Sequence, residues 1–375
     1  MILYTAPVMP APPPLPTANL PLISNAAQLD EACAALGEAP LLALDTEFMR
    51  TNTYAPQLCL SQVATRSEVW CVDELASFDS EPLWQSIAAS GALCVLHAAK
   101  QDLEVIRIRH RIMLPSLFDT QVAAALVGHP PQVGYGNLVK AVLGVELDKA
   151  HTRADWSRRP LESALLRYAA EDVIHLPDLH DALAGALSAA GRLDWAREDS
   201  RALLDPALYE VRPDEAWRRL AGLPFLAPEA QVRARRLAAW RETLAASRDR
   251  PRQWILSDKS ILDIARRAPE SLAALADCEE IAPGTVRHQG QAILAELAAA
   301  GSDDGIPPLT PDPPDQAEVK RLAKVVSGIA AELGIAPELL ATRRDLIALL
   351  RGERAGRPLS GWRREVVGDA LVSAL

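Results

Sequence analysis

Asp45, Glu47, Asp102, Tyr168 and Asp172 are the residues whose types and spacing could do chemistry in this chain. Asp45 and Glu47 end the run Leu41-Leu42-Ala43-Leu44-Asp45-Thr46-Glu47-Phe48, and a continuous apolar run that stops in acids reads as a buried strand emerging at an open edge of the core. Residues i and i+2 of a strand share a face, so Asp45 and Glu47 project together while Thr46 faces away. Like charges that close are unfavourable without a cation, and carboxylate oxygens suit a hard divalent ion such as Mg²⁺ or Mn²⁺. Solvated acids at a strand end are the structural alternative. Asp102 lies in the first turn of a helix that follows the apolar run Leu93-Cys94-Val95-Leu96-His97, a junction that aims it at the same region. The helix dipole alone also favours an acid there. Tyr168 and Asp172 stand four apart in a helical stretch, residues 163–183, and share one face. A tyrosine hydroxyl beside a metal-binding aspartate can hold a water for in-line attack, whereas a tyrosine on an amphipathic helix also serves as core. Glu171 is a neighbouring acid that could compete for the role.

The elements that must position these groups read as an α/β domain with a mixed sheet. Residues 20–24 form a short strand, Asn25 caps a helix over 26–36, and the acid-bearing strand follows. The segments 58–64 and 68–72 form a hairpin around Thr65-Arg66-Ser67. Helical periodicity then returns at 82–90, and after the strand at 93–97 again from Ala98 onward. Ligand chemistry in such sheets gathers beyond strand ends.

Length and composition limit the function classes. A chain of 375 residues suggests two or three domains, and 49% hydrophobic with 23% charged residues is the balance of a soluble globular protein. A net charge of −10 argues against binding nucleic acid by bulk positive charge, although local basic patches are compatible with a nucleic-acid enzyme. The five cysteines show no metal-ligand spacing, and three sit in apolar runs, which suggests a reducing cytoplasm. No apolar run reaches membrane-spanning length, and the proline-dense first twenty residues read as a disordered tail rather than a signal peptide. Lys149, His151, Arg153, Arg158 and Arg159 interleave with Trp156, a mixture that suits a phosphate backbone and a stacked base as well as it suits a solvated connector.

Taken in order, Asp45-Thr46-Glu47-Phe48, His97-Ala98-Ala99-Lys100-Gln101-Asp102-Leu103-Glu104-Val105, Phe118-Asp119-Thr120-Gln121 and Tyr168-Ala169-Ala170-Glu171-Asp172 resemble the exonuclease motifs of the DEDDy 3′ to 5′ exonucleases. Within that superfamily the chain resembles the ribonuclease D family, over roughly residues 20 to 190. The resemblance implies an RNase H-like fold, Asp45, Glu47, Asp102 and Asp172 as metal-binding acids, and Tyr168 as the residue that orients the attacking water. Residues 217–297 resemble an HRDC domain, and 317–375 a more divergent second one. The expected organisation is a tail at 1–19, an exonuclease domain at 20–205, an HRDC domain at 206–300, a linker at 301–315 and a second small all-α HRDC-like domain at 316–375.

The resemblance implies two-metal phosphodiester hydrolysis with Mg²⁺ or Mn²⁺. The expected substrates are tRNA precursors and other structured RNAs with single-stranded 3′ ends, shortened to nucleoside 5′-monophosphates by a cytoplasmic monomer. Phe48, Lys149, Arg153, Trp156, Arg235 and Arg236 are the expected RNA contacts, the last two on an arginine-rich amphipathic helix at 230–248 whose cations could equally be a solvated face. A proofreading-type DNA exonuclease and an RNA-binding module with an inactive site are the rival readings.

Overall fold

Short apolar runs bounded by turn residues pair as strands, and 3.6-period segments cover them as helices. The computed structural model describes residues 20, 22–147, 154–301, 308–309 and 315–375. The expected tail at 1–19, most of the linker at 301–315, and Lys149, His151 and Arg153 lie outside the described residues.

In chain order the first elements are β1 (Leu22–Ile23), α1 (Ala26–Gly37), β2 (Leu41–Met49), β3 (Gln57–Ala64), β4 (Val69–Asp73) and α2 (Glu81–Ala89). Next come β5 (Leu93–Leu96), α3 (Lys100–His110), β6 (Leu117–Asp119), α4 (Thr120–Leu126) and α5 (Tyr135–Leu143). Then follow α6 (Ser163–Ile174), α7 (Leu176–Ala189), α8 (Leu193–Ala202), α9 (Pro228–Ser247) and α10 (Arg252–Ile255). The last are α11 (Asp258–Arg267), α12 (Leu272–Ala276), α13 (Pro283–Ala298), α14 (Gln316–Leu333), α15 (Arg343–Leu350), α16 (Gly361–Arg363) and α17 (Asp369–Ser373). They fall into two units, one of residues 1–49, 58–209 and 314–375, the other of Arg50–Gln57 and Glu210–Pro313.

The first unit holds a mixed sheet of order β1-β4-β3-β2-β5-β6. β3 and β4 are antiparallel, while β2, β5 and β6 run parallel with Ala43 opposite Val95 and Leu96 opposite Asp119. Their carboxyl ends therefore open on one edge, where ligands gather in such sheets. Alternation sends Leu42 and Leu44 into the layer that contains Leu96 and Leu103, and Ala43 into the layer that contains Val95 and Val173. α6 and α7 cover the face of Ala43, so whatever follows Ala43 at positions 45 and 47 meets those helices. The helix expected over 163–183 is two helices that meet at His175. Pro177 explains the break, because its missing N–H and its ring are incompatible with the middle of a helix and suit a first turn.

The segment 316–375, expected as a second HRDC-like domain, shares its core with this unit: Leu322, Val326, Leu346 and Leu371 join the layer of Val173 and Leu179. Trp362 stacks on Trp195 with centroids 4.3 Å apart, and Arg363 makes two 2.7 Å bonds to the Asp199 carboxylate. A bidentate guanidinium–carboxylate pair beside stacked indoles fixes the docking in direction as well as position.

The second unit is built on α9, against which α11, α13 and the short turn helix at Pro213–Arg219 pack, with Leu237, Ile261, Ile264 and Ile293 at the centre. Here the structure corrects one of the two RNA contacts expected on α9, Arg235, which is buried. Arg235 is 3% exposed with its guanidinium 5.1 Å over the Trp217 ring, and Arg236 pairs with Glu296 at 3.0 Å. Arg233 donates to the Ala265 carbonyl at 2.8 Å, and Arg241 donates to Leu256 O and to Asp258. Arginine stems pack along apolar surface and their heads find partners across the fold, which local periodicity does not register.

Glu242 is the ionic centre of this unit, its side chain 3% exposed. It accepts from Arg252 at 2.6 Å, from Arg219 at 3.1 Å and from the Tyr54 hydroxyl at 2.6 Å. Burial pushes the Glu242 carboxyl up, but the bonds from Arg252 and Tyr54 and the two guanidinium charges outweigh it and hold the pKa at about 2. A carboxyl held below its ordinary 4.5 contributes stability that is complete above that value and is lost as pH falls through about 2. Urea unfolding is expected to lose roughly 3 kcal/mol from this group between pH 5 and pH 2, and Glu242→Gln to flatten that part of the profile. Equal pH dependence of the two proteins would contradict it.

Candidate active site

Asp45 and Glu47 leave β2 on the face that α6 covers, and α6 delivers Asp172 to the same point. One oxygen from each of Asp45, Glu47 and Asp172 lies within 4.8 Å of the others. Tyr168, one turn before Asp172, sits in the field of all three carboxylates. The helix reaches this position because Ala169, Ala170 and Val173 are buried on its inner side, where small residues let it approach the sheet closely.

Asp102 enters from the first turn of α3 and is 6% exposed. Its Oδ1 accepts from the Thr46 hydroxyl at 2.5 Å. Thr46, which faces away from Asp45 and Glu47 as expected, is thus the residue that holds this helix-borne acid: it points to the α3 side of β2. The start of α3 is itself held by Asp119 at the end of β6. The Asp119 carboxylate accepts from the N–H groups of Ala98 (3.1 Å) and Ala99 (2.9 Å) and caps α4 through Gln121 N and Val122 N. These bonds compensate the left-handed φ of 57° at Ala98 that turns the chain from β5 into α3.

A second chain of contacts, which sequence reading missed, sets α6. His97 Nε2 donates to the Val133 carbonyl at 2.9 Å while Nδ1 faces Thr120 Oγ1 at 2.9 Å. Burial pushes the His97 pKa down, and because a carbonyl only accepts, Nε2 carries a proton. Two residues beyond Val133, the Tyr135 hydroxyl donates to the Glu171 carbonyl at 3.0 Å, one residue before Asp172. Burial, then the charges of Asp172 and Asp45, raise the Tyr135 phenol far above its ordinary range, so it serves as a hydroxyl. His97 stood in a motif but without a role, and Tyr135 carries no local signal apart from a helix start after Gly134.

The electrostatics are those of a site built for a cation. Burial first, then the charges of Asp102, Asp172 and Glu47, raise Asp45 well above the carboxylate range. Burial, then Asp172 and Asp102, raise Glu47 to about 8. Burial lifts Asp102 to about 7 against the opposing bond from Thr46, and burial with Glu171 lifts Asp172 to about 7. Asp45, Glu47 and Asp172, which repel one another in a dry pocket and bring one oxygen each within 4.8 Å, fit a hard divalent ion, which would replace protons they otherwise hold.

The linkage has a definite sign. Acids whose native pKa is raised bind more protons folded than unfolded between about pH 4 and 8, so without metal their contribution to stability falls as pH rises through that window. In EDTA the melting temperature is expected to drop by roughly 5–10 °C from pH 5.5 to 7.5, and Mn²⁺ to abolish most of the drop. A flat profile in EDTA would show that the acids do not repel one another.

Among the expected RNA contacts, Phe48 is half-buried on β2 beside Glu47. Trp156 is a correction: it is 4% exposed, in the core with its ring 6.3 Å from that of Tyr168, so no base can stack on it. Of its neighbours, Arg159 is bound to Asp73 at 2.6 Å and to the carbonyls of Trp156 and Cys59, and Arg158 to Asp155.

Comparisons with known proteins identify the family. A family model described as 3′-5′ exonuclease matches residues 21–188, and one described as HRDC domain matches 230–297. The chain is 37% identical over 367 residues to a ribonuclease D of Granulibacter bethesdensis, covering 94% of this chain and 91% of the relative. It is 37% identical to a ribonuclease D of Pseudomonas paraeruginosa, covering 94% and 96%. The crystal structure of Escherichia coli RNase D, an exoribonuclease involved in structured RNA processing, superposes with a TM-score of 0.87 at 30% identity, covering 95% of this chain and 98% of that one.

Proposed function

The chain belongs to the ribonuclease D family and is a 3′-5′ exoribonuclease, and from that premise we propose that Asp45, Glu47, Asp102 and Asp172 hold two divalent cations, Mg²⁺ or Mn²⁺, for hydrolysis of the terminal phosphodiester. The convergence of Asp45, Glu47 and Asp172 oxygens within 4.8 Å carries this reading. Bound there, the cations supply an activated water and neutralise charge on the leaving oxygen. The water oxygen bonds to the terminal phosphorus, the P–O3′ bond breaks, and a nucleoside 5′-monophosphate leaves behind an RNA with a free 3′ hydroxyl.

The protein's own groups hold geometry. Burial, then the charges of Asp172, Glu47 and Asp45, push the Tyr168 phenol above its ordinary range, so Tyr168 stays protonated and orients the water through its hydroxyl. Thr46 holds Asp102 and Tyr135 holds the turn of α6 before Asp172. Phe48 offers its ring to the terminal base, a contact that needs no sequence preference. The substrates are the single-stranded 3′ ends of structured RNAs such as tRNA precursors, and the enzyme acts as a cytoplasmic monomer. None of its cysteines forms a disulfide, and among the described residues no helix is long and apolar enough to cross a membrane.

Digestion of 5′-labelled RNA and DNA of matched sequence in Mn²⁺ tests the reading. The expected result is a ladder of 5′-labelled RNAs shortened one residue at a time, with 5′-monophosphates released and the DNA resistant. Release of 3′-monophosphates, or cleavage only in EDTA, would overturn it.

A further inference from the structure

α8 lies between two parts of the first unit, and its two faces do different things. Ala196 and Ser200, one helical turn apart and both fully buried, make the inner face, which meets β6 and α4. Trp195, Glu198 and Asp199 make the other, which meets the C-terminal segment. Trp195 stacks on Trp362, the Glu198 carboxylate accepts from the Trp362 N–H at 3.3 Å, and Asp199 accepts from Trp362 Nε1 at 3.1 Å as well as from Arg363. Gly361 has φ 53°, and a Cβ added there would collide with the Glu198 carboxylate, so glycine is what lets the segment come this close.

On the inner face the Ser200 hydroxyl accepts from the Asp119 N–H at 3.1 Å. β6 is the last strand of the sheet and has β5 on one side only, so an amide on its free side needs an acceptor from elsewhere. Ser200 supplies it at the very residue whose carboxylate holds the start of α3. That carboxylate accepts from the N–H groups of Ala98 and Ala99, and the Leu103 N–H then donates to Ala99 O at 3.0 Å to open the helix. Ala98 is left-handed without being glycine, so this turn depends on the bonds from Asp119. Asp102 stands in the first turn that follows, its carboxylate on the Thr46 hydroxyl. The path from Arg363 to Asp102 is thus a run of hydrogen bonds joined by very short stretches of backbone.

We propose that the C-terminal segment positions Asp102: Arg363 fixes Asp199, Ser200 on the next residue fixes Asp119, and Asp119 sets the first turn of α3, from which Asp102 reaches the cation site. Ser200 and Asp119 are positioning residues in this relay. The proposal rests on the reading of Asp102 as a metal ligand. It gives the segment a part in the chemical step that is separate from any contact it makes with RNA.

Ser200→Ala and Arg363→Met in the full-length protein test the two ends of the relay, the first deleting one hydroxyl and the second keeping the arginine stem without its fork. Without metal, hydrogen exchange at Ala99 and Leu103 is expected to quicken by roughly tenfold in both. Half-saturating Mn²⁺, followed by the free-ion spin-resonance signal without RNA, is expected to rise by roughly 3–10-fold. kcat is expected to fall by roughly 5–20-fold with KM for RNA unchanged. The double variant is expected to be no slower than Ser200→Ala alone, because both changes break one path. Ile87→Val, which trims the core on α2, is expected to lower the melting temperature and to leave Mn²⁺ binding and kcat at wild-type values, which tells misplacement apart from a general loss of stability. Quickened exchange with unchanged Mn²⁺ binding and kcat would overturn the proposal, as would amides that stay protected, a change confined to KM, or effects of the two variants that multiply. Asp102→Asn run in parallel separates the two layers. Mn²⁺ binding and kcat that survive that change defeat the reading of Asp102 as a ligand, whereas their loss there beside wild-type values in Ser200→Ala defeats the relay alone.

Discussion

Asp172→Ala is expected to lower kcat for RNA trimming by at least about 10³-fold, some 4 kcal/mol of transition-state stabilisation, while leaving the fold intact. Asp172 is one of three carboxylates whose oxygens meet within 4.8 Å, and it comes from a different element than the other two. Its loss therefore opens one whole side of the cation site. The same change should not lower the melting temperature in EDTA at pH 7.5, because Asp172 is among the charges that raise Glu47 and Asp45. Removing one of several mutually repelling acids relieves the others. Activity lost together with stability would indicate a folding residue, and activity retained would remove Asp172 from the site. The paired outcome, rate gone and metal-free stability kept or raised, distinguishes a ligand from a structural acid.

The second large effect is expected of Tyr168→Phe: a fall in kcat of roughly 10²-fold with little change in KM or in melting temperature. The ring of Tyr168 packs near Trp156, and phenylalanine keeps that contact. Only the hydroxyl is lost. With its phenol held above the ordinary range by burial and by Asp172, Glu47 and Asp45, Tyr168 is not a base in the working pH range, so the variant should keep the shape of the pH–rate profile and lose only its height. A profile shifted along the pH axis would mean that Tyr168 exchanges a proton in the reaction, and a wild-type rate would reduce it to packing.

Much of the site was legible because backbone geometry dictates it. The i, i+2 spacing of Asp45 and Glu47 and the i, i+4 spacing of Tyr168 and Asp172 place each pair on one side of its element whatever the rest of the chain does. Parallel β2 and β5 then put the strand end at Glu47 beside the junction before Asp102. Thr46 faces away from Asp45 as alternation requires, and its partner was not legible: the far side of a strand end is where the next helix begins, and Asp102 waits there. His97, Tyr135 and Asp119 act through backbone carbonyls and amides of distant turns, and pairings of that sort leave no periodic trace.

The arginines were the least legible. Arg235 and Arg241 fall in a helical pattern that reads as a charged outer face, yet both are buried because Trp217, Leu256 and Asp258 lie against α9 from segments far apart in sequence. Trp156 failed similarly: among cations in a loop it reads as a stacking residue, whereas it is buried beside Tyr168. Whether a long side chain ends in solvent or on a partner is decided by tertiary neighbours.

Anomalous scattering from crystals of the wild-type protein grown or soaked in Mn²⁺ tests the central claim most directly. The account predicts manganese peaks bridging the carboxylates of Asp45, Glu47 and Asp172 at the open end of β2, with Asp102 in the same coordination group and the peaks absent from Asp172→Ala crystals. Manganese bound elsewhere on the chain, with these four acids empty and holding protons instead, would contradict it.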